Sequence, residues 1–165
     1  MQLTHYNTEF KKRKFPITLV CDKVTNSPNI GSLFRTADAF GISKLILCGE
    51  VNVGRKVTKT SRSTEKTVPY EIHESAATVV ENLKQQGVQI IAIEITSQSK
   101  ALHTYTFDIE KPIAFIVGDE NFGVSAEILQ IADETLHIEM FGDNSSMNVA
   151  QATNIALYEV TKQLV

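Results

Sequence analysis

The chain has no tryptophan and few of the residues that mark specialised protein classes: two cysteines, four prolines and four histidines among 165 residues. Cys21 and Cys48 both sit in apolar runs, ITLVCD and KLILC, and neither has CxxC spacing. That argues against a zinc or dithiol redox site and leaves buried free thiols as the reading. The histidines are scattered and form no metal-ligand pattern. His137 falls inside a strand pattern and reads as a core or edge histidine. No apolar run approaches the roughly 20 residues of a membrane span. The N-terminal MQLTHYNTEFKKRKF has no apolar stretch behind its basic cluster, so it is not a secretory signal. A cytoplasmic protein is expected. GxSxG, HExxH and a GxGxxG after the first strand are missing, which argues against the corresponding hydrolases, zinc proteases and dinucleotide binders. Gly118 to Gly123 has the glycine spacing of a phosphate-binding loop. The essential lysine is absent, however, and Asp119 and Glu120 would repel a polyphosphate.

What is present is enough for one well-packed domain, since hydrophobic residues make up 42% of the chain. No repeat, low-complexity tract or linker divides it. A single domain over 1–165 is expected, with 1–14 as a flexible basic segment. The net charge is −3, against expectation for a nucleic-acid partner, but the cations are grouped. One group is Lys11 to Lys14, including Arg13. The other is Arg55, Lys56, Lys59, Arg62 and Lys66, with Glu65 as its only acid. By themselves such runs read as solvated faces.

Continuous apolar runs predict strands over 17–22, 44–48, 89–94, 113–117 and 135–140, of the kind covered on both faces. Helical spacing predicts helices over 30–40, 74–86, 125–131 and 147–164. Asn29 is the expected N-cap of the first, and Gly41 its expected stop. Val149, Ala152, Ile155, Ala156, Val160 and Leu164 form the expected apolar face of the last. The alternation predicts an α/β domain with a mainly parallel sheet and helices on both faces. Ligands then bind in loops at the carboxyl ends of the strands, here 23–31, 49–67, 95–103, 118–124 and 141–148.

Three polar segments cap predicted strands. Asn29-Ile-Gly-Ser-Leu-Phe-Arg35 runs on to Phe40-Gly41, Gly118-Asp-Glu120-Asn-Phe-Gly123 follows a strand, and Ile138-Glu-Met140 leads to Ser146-Met147-Asn148-Val-Ala. Each has an ordinary reading by itself: turn glycines, Ser146 as a helix cap, Glu120 as a solvated acid, or Arg35 paired with Asp38 one turn away.

In order and spacing, the three together resemble the motifs of the SpoU/TrmH family of RNA 2′-O-ribose methyltransferases, within the SPOUT superfamily. The first is similar to N-x-x-x-x-x-R…FG, the second to G-x-E-x-x-G, and the third to I-P-M…S-L-N-V-A…YE, with Tyr158-Glu159 as the ending. The family's proline is Glu139 here and its leucine Met147. Thr60 to Lys66 is also similar to a stretch seen in the family.

The resemblance implies a C-terminal trefoil (α/β) knot, a homodimer, and S-adenosyl-L-methionine as methyl donor, leaving S-adenosyl-L-homocysteine. The implied cofactor residues are Glu94, Ile95, Thr96, Gly118, Ile138, Met140, Met147 and Asn148. Glu120, Ser146 and Asn148 are implied to bind or orient the reacting groups, and Asn29 to buttress the first loop. Arg35 is implied to activate the 2′-hydroxyl across the dimer, either as a base or, because a guanidinium normally keeps its proton, as a clamp on phosphate and oxyanion charge. Under this reading Arg55, Lys56, Lys59, Arg62 and Lys66, and less directly Arg13, become RNA contacts. The implied RNA is tRNA before rRNA, with no membrane partner. A base-nitrogen methyltransferase of the same superfamily and a silent RNA-binding module are the alternatives.

Overall fold

The computed structural model describes residues 1–4 and 6–165; His5, within the basic N-terminal segment, lies outside the described residues. In chain order the elements are β1 (Phe15–Asp22), α1 (Ser27–Ala39), β2 (Ile42–Cys48), α2 (Arg55–Ser61), β3 (Tyr70–His73), α3 (Ala76–Gln85), β4 (Gln89–Ile93), β5 (Lys100–Ala101), β6 (Ile113–Gly118), α4 (Ala126–Ile131), β7 (Glu134–His137) and α5 (Val149–Leu164). All seven strands are parallel, in the order β3-β2-β1-β6-β4-β7-β5.

The apolar strands fill the middle because both sheet faces are covered. Ile17, Leu19, Cys21 and Phe115 pack under α1, α2 and α5. Val20, Ile46, Cys48 and Ile116 pack under α3 and α4. Alternation along β1 thus sends successive side chains into two cores. The parallel sheet with helices on both faces is as the sequence predicts.

Several boundaries differ. Helix α1 begins at Ser27, and its N-cap is Asn26, whose Oδ1 accepts from the Asn29 amide at 3.1 Å. Asn29 lies inside the first turn, beyond Pro28, which is tolerated there because first-turn amides have no helical partner. Gly41 follows the helix at φ +59°, and a β-carbon there would lie 2.1 Å from the Arg13 carbonyl oxygen. The stretch 49–67 is not a plain loop: it holds α2 and a 3₁₀ turn at Thr64–Lys66. The strand expected over 135–140 ends at His137, where pairing with β4 and the two-residue β5 runs out. Ile138 to Met140 leaves the sheet. The N-cap of α5 is Asn148 rather than Ser146. Its buried face includes Thr153 and Thr161, which donate to the carbonyls of Val149 and Leu157, each at 2.7 Å. Ile155 is exposed, and Ala152 and Leu164 are half-buried.

Candidate active site

The register of the central strands brings three loops to one level. Asp22 at the end of β1 pairs with Cys48 on one side and Gly118 on the other. The loops that follow β1 and β6 therefore start side by side, and the N-terminus of α5 meets them through Asn148.

One residue from each polar segment meets there. Asn29 Nδ2 donates to Glu120 Oε1 at 2.6 Å. Asn148 Nδ2 donates to the same oxygen at 2.9 Å and to Asn29 Oδ1 at 3.0 Å. Asn148 Oδ1 faces the other way, accepting from the amides of Ala150 at 2.9 Å and Gln151 at 3.3 Å. The helix cap thus orients the Asn148 amide, and the amide orients Glu120. Asn29 is buried at 8% exposure, while Glu120 is exposed and its Oε2 has no partner among the described residues.

A second set of contacts holds the loop that carries Glu120. The buried Asp22 carboxylate accepts from the Ser125 amide at 2.9 Å, and the Asp22 carbonyl accepts from the Asp119 amide at 3.1 Å. Glu94 accepts from Val124 at 3.0 Å with one oxygen and from Ile95 at 2.9 Å with the other. Gly118 is required by contact distance: a β-carbon there would lie 2.1 Å from the Gly123 carbonyl carbon. The sequence patterns give Asp22 no role, and Asp119 only that of repelling a polyphosphate. The available signal was a carboxylate closing the otherwise apolar run ITLVCD.

Beside this cluster lies a cavity of about 490 Å³. Its walls come from Glu94, Ile95 and Thr96 after β4, from the 117–124 loop, and from Ile138, Met140, Ser146 and Met147. Of the residues implied for the cofactor, all but Asn148 line it. Ser146 lines the cavity, but its hydroxyl donates to Asn144 Oδ1 at 3.1 Å and does not join the Asn29–Glu120–Asn148 cluster.

Arg35 is exposed and does not join the cluster within its own chain. It lies six residues along α1 from Asn29, about 9 Å along the axis and about 120° around it. The pair with Asp38 is not formed, and Arg35 has no side-chain partner among the described residues. Arg55, Lys56, Lys59, Arg62 and Lys66 are likewise exposed on and after α2, without side-chain partners among the described residues, while Glu65 is held by the Ser61 hydroxyl. Arg13 is engaged: it donates to the Leu164 carbonyl at 3.0 Å and lies 4.6 Å over the Phe15 ring. The two thiols are inert by environment. Burial, with the Asp22 carboxylate adding to it, pushes Cys48 up to about 12, and burial pushes Cys21 higher still.

A model of the SpoU rRNA methylase family matches residues 16–158. The chain belongs to the SpoU rRNA methylase family. Relatives include the tRNA (guanosine(18)-2′-O)-methyltransferase of Aquifex aeolicus, 32% identical over 93% of this chain and 72% of that protein. The 23S rRNA (guanosine-2′-O-)-methyltransferase RlmB of Ralstonia nicotianae is 32% identical over 90% of this chain and 59% of its own length. Among solved structures, the A. aeolicus TrmH/SpoU tRNA-modifying enzyme has a TM-score of 0.82 at 31% identity, over 92% of this chain and 77% of that one. The SpoU methyltransferase AviRb of Streptomyces viridochromogenes, in complex with AdoMet, has a TM-score of 0.79 at 25% identity, over 93% and 62%. A structure described for 2-OH methylation of C/U34 on tRNA has a TM-score of 0.78 at 28% identity, over 90% of this chain and 95% of that one. The family recognised from the three motifs is thereby borne out, with its parallel α/β fold, its methyltransferase class and S-adenosylmethionine as the family's methyl donor.

Proposed function

We propose that this SpoU-family protein methylates a ribose 2′-hydroxyl in RNA, in tRNA before rRNA, as a cytoplasmic homodimer. The observation that carries the reading is the cluster at the cavity rim: Asn29, Glu120 and Asn148, one from each motif, share Glu120 Oε1. The cavity suits the donor. At about 490 Å³ it is of the size that holds a cofactor. Ile95, Ile138, Met140 and Met147 offer apolar contact for adenine, and Glu94, Thr96 and backbone groups offer polar contact. When bound, S-adenosylmethionine supplies a sulfonium methyl.

The protein's task is to hold the acceptor oxygen and help its proton leave. Glu120, oriented by two amide donors, keeps one oxygen free for a ribose hydroxyl, and Asn148 fixes that orientation against the end of α5. Ser146 sits on the cavity wall, and its hydroxyl would have to turn away from Asn144 to meet the reacting groups. Fixed geometry of this kind supplies much of an enzymatic rate gain. Arg35 completes the site from the partner subunit, either as base or as a clamp on phosphate and oxyanion charge.

Support for the homodimer is the exposed face shared by α1 and α5. Ile155 is 41% and Tyr158 62% exposed, and Thr36 Oγ1 donates to Asn154 Oδ1 at 2.7 Å between the two helices. The knot belongs to the same reading, because 138–147 leaves the sheet to wall the cavity beside the loops after β4 and β6. The cations of α2 are proposed to hold the RNA backbone. The cytoplasm is the compartment that fits this substrate; among the described residues no helix is long and apolar enough to cross a membrane. A structural neighbour described by 2-OH methylation of C/U34 on tRNA supports tRNA over rRNA.

The test is methyl transfer from labelled S-adenosylmethionine to tRNA and, separately, rRNA from cells lacking the gene, with products digested to nucleosides and identified by mass spectrometry. Label on a ribose of tRNA is expected. Label on a base would make the protein a base-nitrogen enzyme, and cofactor binding without label in either RNA would make it a silent RNA-binding module.

A further inference from the structure

We infer that Phe122 is a stacking platform for a nucleobase of the RNA next to the ribose that receives the methyl, an inference that rests on the RNA methyltransferase reading above. The ring is 90% exposed, so it contributes nothing to the core. Its backbone, in contrast, is held at every step. Asp119 Oδ1 accepts from the amides of Asn121 at 2.8 Å and Phe122 at 3.0 Å, and the Asp119 carbonyl accepts from Gly123 at 2.7 Å. The result is an aromatic ring presented to solvent on a fixed loop tip. It lines the cavity mouth two residues from Glu120.

The surroundings indicate what the ring would meet. Helix α2 rests on the first turns of α1, where a β-carbon on Gly31 would lie 1.9 Å from Thr60 Oγ1. Asn29, two residues earlier, bonds Glu120. The helix that carries the unpaired cations and the loop that carries Phe122 therefore both adjoin elements of the cluster. A ribose drawn down to Glu120 leaves its base or its neighbour's base unstacked, and an exposed base face is what aromatic side chains take up in single-stranded RNA. Stacking tolerates any base, so the ring would add affinity and position where the cations add only charge.

The experiment compares wild type with Phe122→Ala, Phe122→Leu, Phe122→Tyr and Phe122→Trp on the RNA fraction that wild type labels. Removing one base stack is expected to raise the KM for RNA about tenfold in Phe122→Ala. Phe122→Leu, apolar but without a π-face, is expected to share the defect, and Tyr and Trp to restore function. Cofactor Kd by calorimetry and mass by light scattering are expected to stay at wild-type values. An unchanged KM in the Ala or Leu variant overturns the inference. Weakened cofactor binding would assign the ring to the cofactor cavity instead, and a change in subunit mass would assign it to the interface between copies. Wild type that labels no RNA removes the methyltransferase reading and this inference together, whereas an active wild type with an indifferent Phe122→Ala removes this inference alone.

Discussion

Asn148 does two jobs with the two ends of one amide, and they can be separated. Its oxygen caps α5, while its nitrogen donates to Glu120 and Asn29. Asn148→Asp keeps a capping oxygen but places a second carboxylate against Glu120 and removes both donors. Turnover is expected to fall about 100-fold, the scale seen when one positioned polar group of an active site is lost. Asn148→Ala loses the cap as well, at a cost of about 1 kcal/mol, or a Tm lower by about 2–4 °C. Calorimetric melting and kcat on each variant check this; an Asp variant with wild-type turnover would remove Asn148 from the orienting cluster. At this scale the sequence was legible in residue type and spacing but not in atoms. Asn29 reads as a cap by local rule, yet Asn26 takes that role and frees the Asn29 side chain for Glu120. Ser146 reads as part of the same group, yet its hydroxyl turns to Asn144. Local propensity cannot show which of two neighbouring polar side chains a distant loop will engage.

At the scale of elements, what could be read depended on burial. Strands β1, β2, β4 and β6 are central, covered on both faces and written as unbroken apolar runs. Strand β3 is an edge strand whose residues Tyr70, Glu71, Ile72 and His73 are all exposed, so no continuous apolar run marks it. Helix α2 buries only Val57 and Ser61 and depends on its contact with α1. The paired central strands also carry a measurable signature. Cys21 and Cys48 are held protonated by burial, Cys48 up to about 12. The folded state therefore keeps protons that the unfolded chain releases above its ordinary thiol range, near pH 8.5. The stability this protonation protects is complete below that pH and falls as pH rises towards about 12. Urea midpoints are expected to drop from pH 8 to pH 10, and Cys48→Ala is expected to flatten the drop. In parallel, neither thiol is expected to react with a disulfide reagent at pH 8 until urea unfolds the chain. Fast labelling of the native protein would contradict the closed β1–β2 core.

The whole molecule raises the question of where Arg35 works. The net charge of −3 hides a division in which unpaired cations lie on α1 and α2 while the carboxylates of Asp22, Glu94 and Glu120 line the carboxyl ends of β1, β4 and β6. Arg35 has no side-chain partner among the described residues and sits on α1 at a position about 120° around from Asn29. If the exposed faces of α1 and α5 meet their copies in a two-fold dimer, each site would combine Glu120 and Asn148 of one chain with Arg35 of the other. Arg35→Ala is then expected to lose turnover while binding S-adenosylmethionine normally, and Asn148→Asp to lose turnover for its own reason. Mixed at equal amounts and allowed to exchange subunits, the two inactive proteins would form heterodimers in which one site carries both lesions and the other carries none. Random pairing restores about a quarter of the sites. If Arg35 served its own chain, every site in the mixture would carry one lesion and activity would stay at the background of the separate variants. Methyl transfer measured before and after subunit exchange distinguishes the two arrangements. The intact site can only arise where one molecule's α1 reaches the other's Glu120, so recovered activity would locate the arginine across the interface without requiring a structure of the complex.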